Sequence, residues 1–300
     1  MWRLHLTFVV LTVLVISGIF FSSHFISIQM NIWLHREYYE LVNINFDFKI
    51  VNQVCSKNSP MMLHVVISAA NHNLHRDAIR KMCKNDTTTV KTIFALGLPK
   101  NETLQKKIEQ ENYLHEDIIQ GNFDDTYRNL TYKHVMALKY LNYYCPKTNY
   151  LLKTDDDVFV NTKVLQQFVP ILKTHHPSNL IMCKVLKKEP VHRTRSKWNV
   201  KKAEYLPDIY PTFCAGWMII YSSDVVQYLY KKTHERKSEF FWIDDVFVSD
   251  RFKKITKGKK VVYDKPFMFS PPIKKVEEFK ALWNFTLKQN VSENLEKFGV

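Results

Sequence analysis

Between residues 62 and 185, short β-branched runs alternate with longer amphipathic ones, and this alternation restricts the chain to few folds. Residues 62–70 (MLHVVISAA), 89–97 (TVKTIFALG), 117–121 (DIIQG), 150–153 (YLLK) and 179–185 (NLIMCKV) read as strands. RDAIRKMC (76–83), 102–114, 126–144 and NTKVLQQFVPIL (161–172) have helical spacing. A helix between two strands carries the chain back to the edge it left, so such strands run parallel, and an α/β sheet flanked by helices is expected. With 300 residues, 46% of them hydrophobic, the chain has enough material for one large domain or two closely joined halves.

The strand YLLK runs into three carboxylates, Asp155, Asp156 and Asp157, and the chain then returns at once to Val158, Phe159 and Val160. Adjacent like charges between apolar flanks repel with little water to screen them, which calls for a cation. An EF-hand loop fails, because Val160 stands where Gly is required and Gln166 where Glu is required. Two readings remain, a solvated turn and a site where alternate carboxylates hold a hard metal ion that clamps a diphosphate. The position favours the second, since ligands of open parallel sheets bind outside the carboxyl ends of the strands.

The amino terminus sets the address. Residues 6–21 form an uncharged apolar run, and no Asp, Glu, Lys or Arg occurs between Arg3 and Arg36. This reads as a signal-anchor or as a cleaved secretory signal; no small-residue cleavage site follows the apolar core, which favours the anchor. The expected organisation is a cytoplasmic tail at 1–5, a transmembrane signal-anchor at 6–28, a stem at 29–60 and a luminal catalytic domain at 61–300. Five Asn-x-Ser/Thr acceptors, at Asn85, Asn101, Asn129, Asn284 and Asn290, agree with a luminal domain. Five cysteines, Cys55, Cys83, Cys145, Cys183 and Cys214, allow two disulfides and one free thiol, with the pairing open.

A formal net charge of +14 favours acidic partners, whether phosphates, anionic glycans, nucleic acid or anionic lipid. Two stretches carry much of it: the loop 184–202, with Lys184, Lys187, Lys188, Arg193, Arg195, Lys197, Lys201 and Lys202 against Glu189, and the run 251–260. A glycosylatable, membrane-anchored chain argues against a nucleic-acid partner.

From about residue 62 to 252 the chain resembles the beta-1,3-galactosyltransferase-type glycosyltransferases, a family that includes beta-1,3-N-acetylglucosaminyl enzymes. The resemblance rests on RDAIRKMC, FALG, NFDDTYRNLTYKHVMALKYLNYYC, YLLKTDDDVFVN, KWNVKKAEYLPDIYPTFCAGW and IDDVFVSD, in family order and spacing. It implies a GT-A-type fold with a Rossmann-like mixed sheet, a single-pass type II Golgi membrane protein, a UDP-sugar donor, manganese, and inversion at the anomeric carbon. It also implies an acceptor that is a glycan of a glycoprotein, glycolipid or proteoglycan. Carried over by position, Asp157 is the metal ligand and Asp155 and Asp156 serve ribose or the metal's surroundings, with Asp155 a second candidate ligand. Arg76, Arg80 and Lys133 lie near the nucleotide, and Asp245 takes the position of the catalytic base. Trp198, Gly216, Trp217 and Asp244 belong to the donor and acceptor pocket.

The physical logic is independent of the family. Inverting transfer needs a carboxylate apart from the metal cluster to take the acceptor's proton, while metal and cationic side chains offset the charge on the departing diphosphate. Asp245 alternatively serves as a carboxylate stabilising a helix start. The sequence also departs from the family, with Met82-Cys83 in place of Thr-Trp, Ala215-Gly216-Trp217-Met218 in place of a run of small residues, and no His after His234. These departures leave a second reading, a luminal glycan-binding or chaperone-like protein that keeps the fold without turnover. Retention of the three aspartates and Asp245 weighs against it.

Overall fold

A computed structural model of the chain describes residues 46–83, 88–233, 240–250, 261–262, 269, 273 and 275–287. The expected tail, the anchor, most of the stem, Asn85, Asn290 and the basic run 251–260 lie outside these residues. Among the described residues no helix is long and apolar enough to cross a membrane.

Among the described residues eight strands form one sheet: β1 (Phe48–Ile50), β2 (Met62–Ile67), β3 (Val90–Leu98), β4 (Ile118–Asp124), β5 (Tyr150–Asp155), β6 (Ile181–Leu186), β7 (Phe213–Ser222) and β8 (Val261–Val262). Their order across the sheet is β1-β4-β3-β2-β5-β7-β6-β8. The strands β4, β3, β2 and β5 are parallel, as the alternation requires. The sheet is nevertheless mixed, because β1 pairs antiparallel with β4 and β7 lies antiparallel between β5 and β6. All six residues of β2 are buried, so both faces of the sheet are covered. Even the polar residue of β2, His64, is satisfied, with Thr92 and Thr154 hydroxyls from the neighbouring strands 3.2 and 2.8 Å from its ring nitrogens. Burial lowers its pKa to about 3 and keeps it neutral.

Seven α-helices are present among the described residues, the first six between strands and the last after β8: α1 (Asn73–Cys83), α2 (Glu102–His115), α3 (Leu130–Tyr144), α4 (Thr162–His175), α5 (Ser223–Thr233), α6 (Asp244–Asp250) and α7 (Val276–Leu287). Local chemistry sets several ends. The Asn101 side chain accepts from the Thr103 and Leu104 N–H groups at the start of α2, and Asn161 accepts from Val164 N–H at the start of α4. One core cluster joins Val164, Leu165 and Phe168 of α4 to Met62, Leu152 and Ile220, and another joins Ile79 and Met82 of α1 and Phe279 of α7 to Val66 and Phe94.

The residues around β1 differ from expectation. Residues 48–50 belong to the sheet rather than to a stem, and the Phe48 ring meets Tyr140 and Tyr144 of α3 edge-on. Cys55 is disulfide-bonded to Cys145 just beyond α3, so the folded unit begins before residue 61. A second disulfide joins Cys183 in β6 to Cys214 in β7, and Cys83 is the free cysteine. Of the described glycosylation acceptors, Asn101 and Asn284 are exposed, while Asn129 is half-buried and its amide donates to the Asp124 carbonyl at 2.8 Å.

Candidate active site

The chain builds β2, β3 and β4 outward, then returns to lay β5 on the other side of β2. Between β2 and β5 the strand order reverses, and at their carboxyl ends the two flanking loops must part. A cleft of about 800 Å³ opens there. Ile67 to Ala69 after β2, Asp155 to Asp157 after β5, Asp125 to Tyr127 after β4, the start of β7 and the start of α6 all line it.

The three aspartates have separate surroundings. Asp156 is almost wholly buried and accepts from Ser68 Oγ at 2.7 Å, Ala69 N–H at 3.2 Å and His72 Nδ1 at 2.9 Å. Burial opposes its charge, but these donors outweigh it and hold its pKa below the usual value. Asp155 accepts from the buried Lys153 ammonium at 2.9 Å, while burial raises its pKa. Asp157 is different: its Oδ1 is buried with no hydrogen-bond partner, and burial, followed by the charges of Asp155 and Asp156, pushes its pKa up to about 6. An unpartnered carboxylate oxygen beside two further carboxylates fits a cation. Among the described residues no group of three His, Cys, Asp or Glu side chains makes a metal site, so a cation at Asp157 would draw other oxygens from its ligand and from water.

Lys153 links this cluster to α6. Its ammonium donates to the Gly216 carbonyl and lies 3.3 Å from Asp244, as well as holding Asp155. Asp244 also receives His134 Nδ1 at 2.8 Å, and His134 Nε2 lies 3.0 Å from the Tyr221 hydroxyl. Burial opposes ionisation of Asp244, but Lys153 and His134 outweigh it and hold its pKa far below the usual carboxylate range. Asp245 is shifted the opposite way, raised by burial and then by the neighbouring Asp244 charge. Its Oδ2 accepts the Gly216 N–H at 3.1 Å and its Oδ1 the Val246 N–H at 2.8 Å, without an ammonium directly on it. A Cβ at Gly216 would stand 3.0 Å from the Asp245 Cβ, so a side chain there would press on Asp245.

The cleft brings together Lys133, Asp155, Asp156, Asp157, Trp198, Gly216, Trp217, Asp244 and Asp245 of the sequence-derived set. Lys133 is committed within it, donating to the Ser68 carbonyl and to Asp125. Arg76 and Arg80 are not brought into the cleft. Arg76 is fully buried, pairs with Glu111 and donates to Ser68 Oγ and the Ala69 carbonyl, so it braces the loop behind the aspartates. Arg80 pairs with Asp77, Glu111 and Asp117 and lines a separate surface pocket near Cys83. The family resemblance places both arginines near the nucleotide, whereas Glu111 and Asp117, distant in sequence, occupy them here.

Sequence reasoning passed over His72, Lys153, His134, Tyr127, Tyr210 and Trp242. Lys153 and His134 sit among apolar residues of a strand and a helix, a pattern that itself marks a buried, paired charge. The aromatic residues form a wall. Tyr127 and Trp242 meet edge-on at 6.0 Å, and the Lys197 ammonium lies over both Tyr127 and Trp198, at 5.6 and 4.6 Å from the ring centres. Trp242 Nε1 and the Tyr210 hydroxyl are buried with no hydrogen-bond partner.

The sequence model of a galactosyltransferase family matches residues 74–257, a span that contains every aspartate of this site. The chain belongs to that galactosyltransferase family. Among its relatives, beta-1,3-galactosyltransferase 5 of Pan troglodytes is 28% identical over 272 residues, covering 89% of each chain. Beta-1,3-galactosyltransferase 5 of Mus musculus is 33% identical over 199 residues, covering 65% of this chain and 63% of the relative. Beta-1,3-galactosyltransferase 1 of Mus musculus is 30% identical over 218 residues, covering 70% and 66%. Solved structures resemble this galactosyltransferase-family chain more distantly. The mannosyltransferase PcManGT of Pyrobaculum calidifontis in complex with GDP-Man and Mn2+ aligns at TM-score 0.43 and 10% identity, over 84% of this chain and 66% of that one. S. aureus TarS 1-349 in complex with UDP aligns at TM-score 0.41 and 12% identity, over 77% and 68%.

Proposed function

We propose that the protein is an inverting glycosyltransferase that moves a hexose, galactose or N-acetylglucosamine, from a UDP-sugar to a hydroxyl of a glycan acceptor in beta-1,3 linkage. One observation carries this reading. The cleft holds a carboxylate, Asp245, whose pKa is raised by burial and by Asp244, on an element separate from the aspartate cluster that suits a diphosphate. A base tuned this way draws the proton from an acceptor hydroxyl as its oxygen attacks the anomeric carbon. The bond from that carbon to the β-phosphate oxygen breaks, and UDP leaves with the electron pair. Attack from the face opposite the leaving group inverts the centre.

Manganese is the proposed metal: held at Asp157, with Asp155 beside it, it would offset the charge of the diphosphate. Asp156, fixed by Ser68, Ala69 and His72, keeps the strand end in shape for that task. The Gly216 N–H and the start of α6 orient the Asp245 oxygens. The proposed location is the Golgi membrane, single-pass type II with the catalytic domain luminal. The uncharged run at 6–21 and the Asn-x-Ser/Thr acceptors support it.

The test is to incubate the protein with manganese, a panel of UDP-sugars and glycan acceptors, with and without chelator, and to follow UDP release and product mass. Metal-dependent transfer from UDP-galactose or UDP-N-acetylglucosamine is expected. Tight UDP binding without transfer to any acceptor would instead fit a glycan-binding protein without turnover.

A further inference from the structure

Between β6 and β7 the chain makes an excursion, residues 187–212, that forms one wall of the cleft. The Cys183–Cys214 disulfide closes its base. Arg193 pins its interior by donating to the Val200, Tyr205 and Pro207 carbonyls. The excursion holds seven Lys and Arg against three Asp and Glu. Two of the acids are engaged by cations: Asp208 by Lys202 and Arg193, Glu204 by Arg128. The third, Glu189, lines the cleft. Lys187, Lys188, Arg195, Lys197 and Lys201, with Lys184 at the end of β6, are exposed and form no ion pair among the described residues.

The donor does not account for so many cations. A UDP-sugar diphosphate carries two negative charges, which one divalent metal offsets. Lys197 lies over Tyr127, in the aromatic wall shared with Trp242, and that wall continues to Asp245 through Ile243 and Asp244. Trp242 and Tyr210 line the same cleft, and each residue is only 6% exposed. Aromatic stacking faces suit a sugar ring, and a surplus of cations beyond them suits a sugar chain bearing anions.

We infer that the acceptor is an anionic glycan, bearing sulfate esters or carboxylates, whose charges meet the exposed cationic edge of the β6–β7 excursion while its terminal sugar lies on the aromatic wall beside Asp245. The inference rests on the transferase reading above and adds the class of acceptor.

The experiment compares three tetrasaccharide acceptors of one backbone: neutral, 6-O-sulfated and uronate-bearing. It uses the full chain and the combined variant Lys187→Gln, Lys188→Asn, Arg195→Gln, none of which lines the cleft. Exposed ion pairs contribute small increments each, so KM for the preferred charged acceptor should lie about tenfold below that for the neutral one and rise about tenfold in the variant. Added salt should raise it in the native protein and less in the variant. KM for the UDP-sugar and kcat should stay unchanged. Preference for the sulfated over the uronate form, or the reverse, identifies the anion. Equal, salt-insensitive KM for neutral and charged acceptors overturns the inference and leaves the transferase reading standing. A rise confined to the UDP-sugar KM assigns the cations to the donor and also overturns it. So does loss of binding to phosphatidylserine vesicles with acceptor KM unchanged, which assigns the edge to a membrane. No transfer to any of the three from any UDP-sugar overturns the transferase reading, and this inference with it.

Discussion

Asp244 and Asp245 are adjacent in sequence and held in opposite states. Asp244 has Lys153 and His134 on it and keeps its charge. Asp245 has two backbone N–H groups and the Asp244 charge beside it. The sign for activity follows: with its pKa raised, Asp245 is a competent base only above that pKa, so transfer should fall on acidification earlier than an ordinary carboxylate would dictate. Asp245→Asn should keep UDP binding and lower transfer by about a hundredfold or more, since general-base contributions run to about 10²–10⁴. Near-normal transfer would move the base elsewhere. Removing the like charge with Asp244→Asn should shift the acid limb of the pH–rate profile toward lower pH. On the donor side, Asp157→Ala should abolish metal-dependent UDP binding in calorimetry with manganese present, because the oxygen without a protein partner goes with it.

The parallel strands β2 to β5 were legible as elements because a buried strand is a continuous apolar run, and the linking helices showed their spacing. Three strands escaped, β1, β7 and the two-residue β8. β7 enters the sheet antiparallel between β5 and β6, and its Gly216 and Trp217 interrupt the pattern where the backbone must approach Asp245. β1 is three residues long and is specified by partners far along the chain. The site was legible where acids cluster in sequence, at 155–157 and 244–245, and obscure where it depends on contacts between distant residues, as with Lys153, His134 and the occupied Arg76 and Arg80. The β1 region yields a prediction at this scale. A fragment starting at residue 45 should fold with β1 and its bridge intact, whereas one starting at 61 loses β1 and the Cys55–Cys145 bridge, whose 90-residue separation makes it worth about 4–5 kcal/mol. The shorter fragment should melt far lower or aggregate, as read by thermal scanning and size-exclusion chromatography. Equal melting temperatures would return the segment to the stem.

At the scale of the molecule, the Asn-x-Ser/Thr acceptors differ in what a glycan would displace. Asn101 is exposed and uses only its carbonyl oxygen as the α2 cap, leaving its amide nitrogen open. Asn129 already donates its amide to Asp124. After secretory expression, glycopeptide mass spectrometry should find Asn101 more fully occupied than Asn129; the reverse order would mean that the Asn129 contact forms only after modification. The disulfides carry a further consequence for biosynthesis. A ribosome releases Cys55 first and Cys83 next, well before Cys145, so under the proposed luminal address the first thiol would meet a wrong partner before the right one. In the finished fold, burial pushes the Cys83 thiol up to about 11, which leaves almost no thiolate to attack a neighbour. The finished fold pairs Cys55 with Cys145 and leaves Cys83 as the free thiol. Cys83→Ala removes the competing partner of Cys55 and should raise the yield of correctly bridged protein after secretory expression, as read by non-reducing electrophoresis.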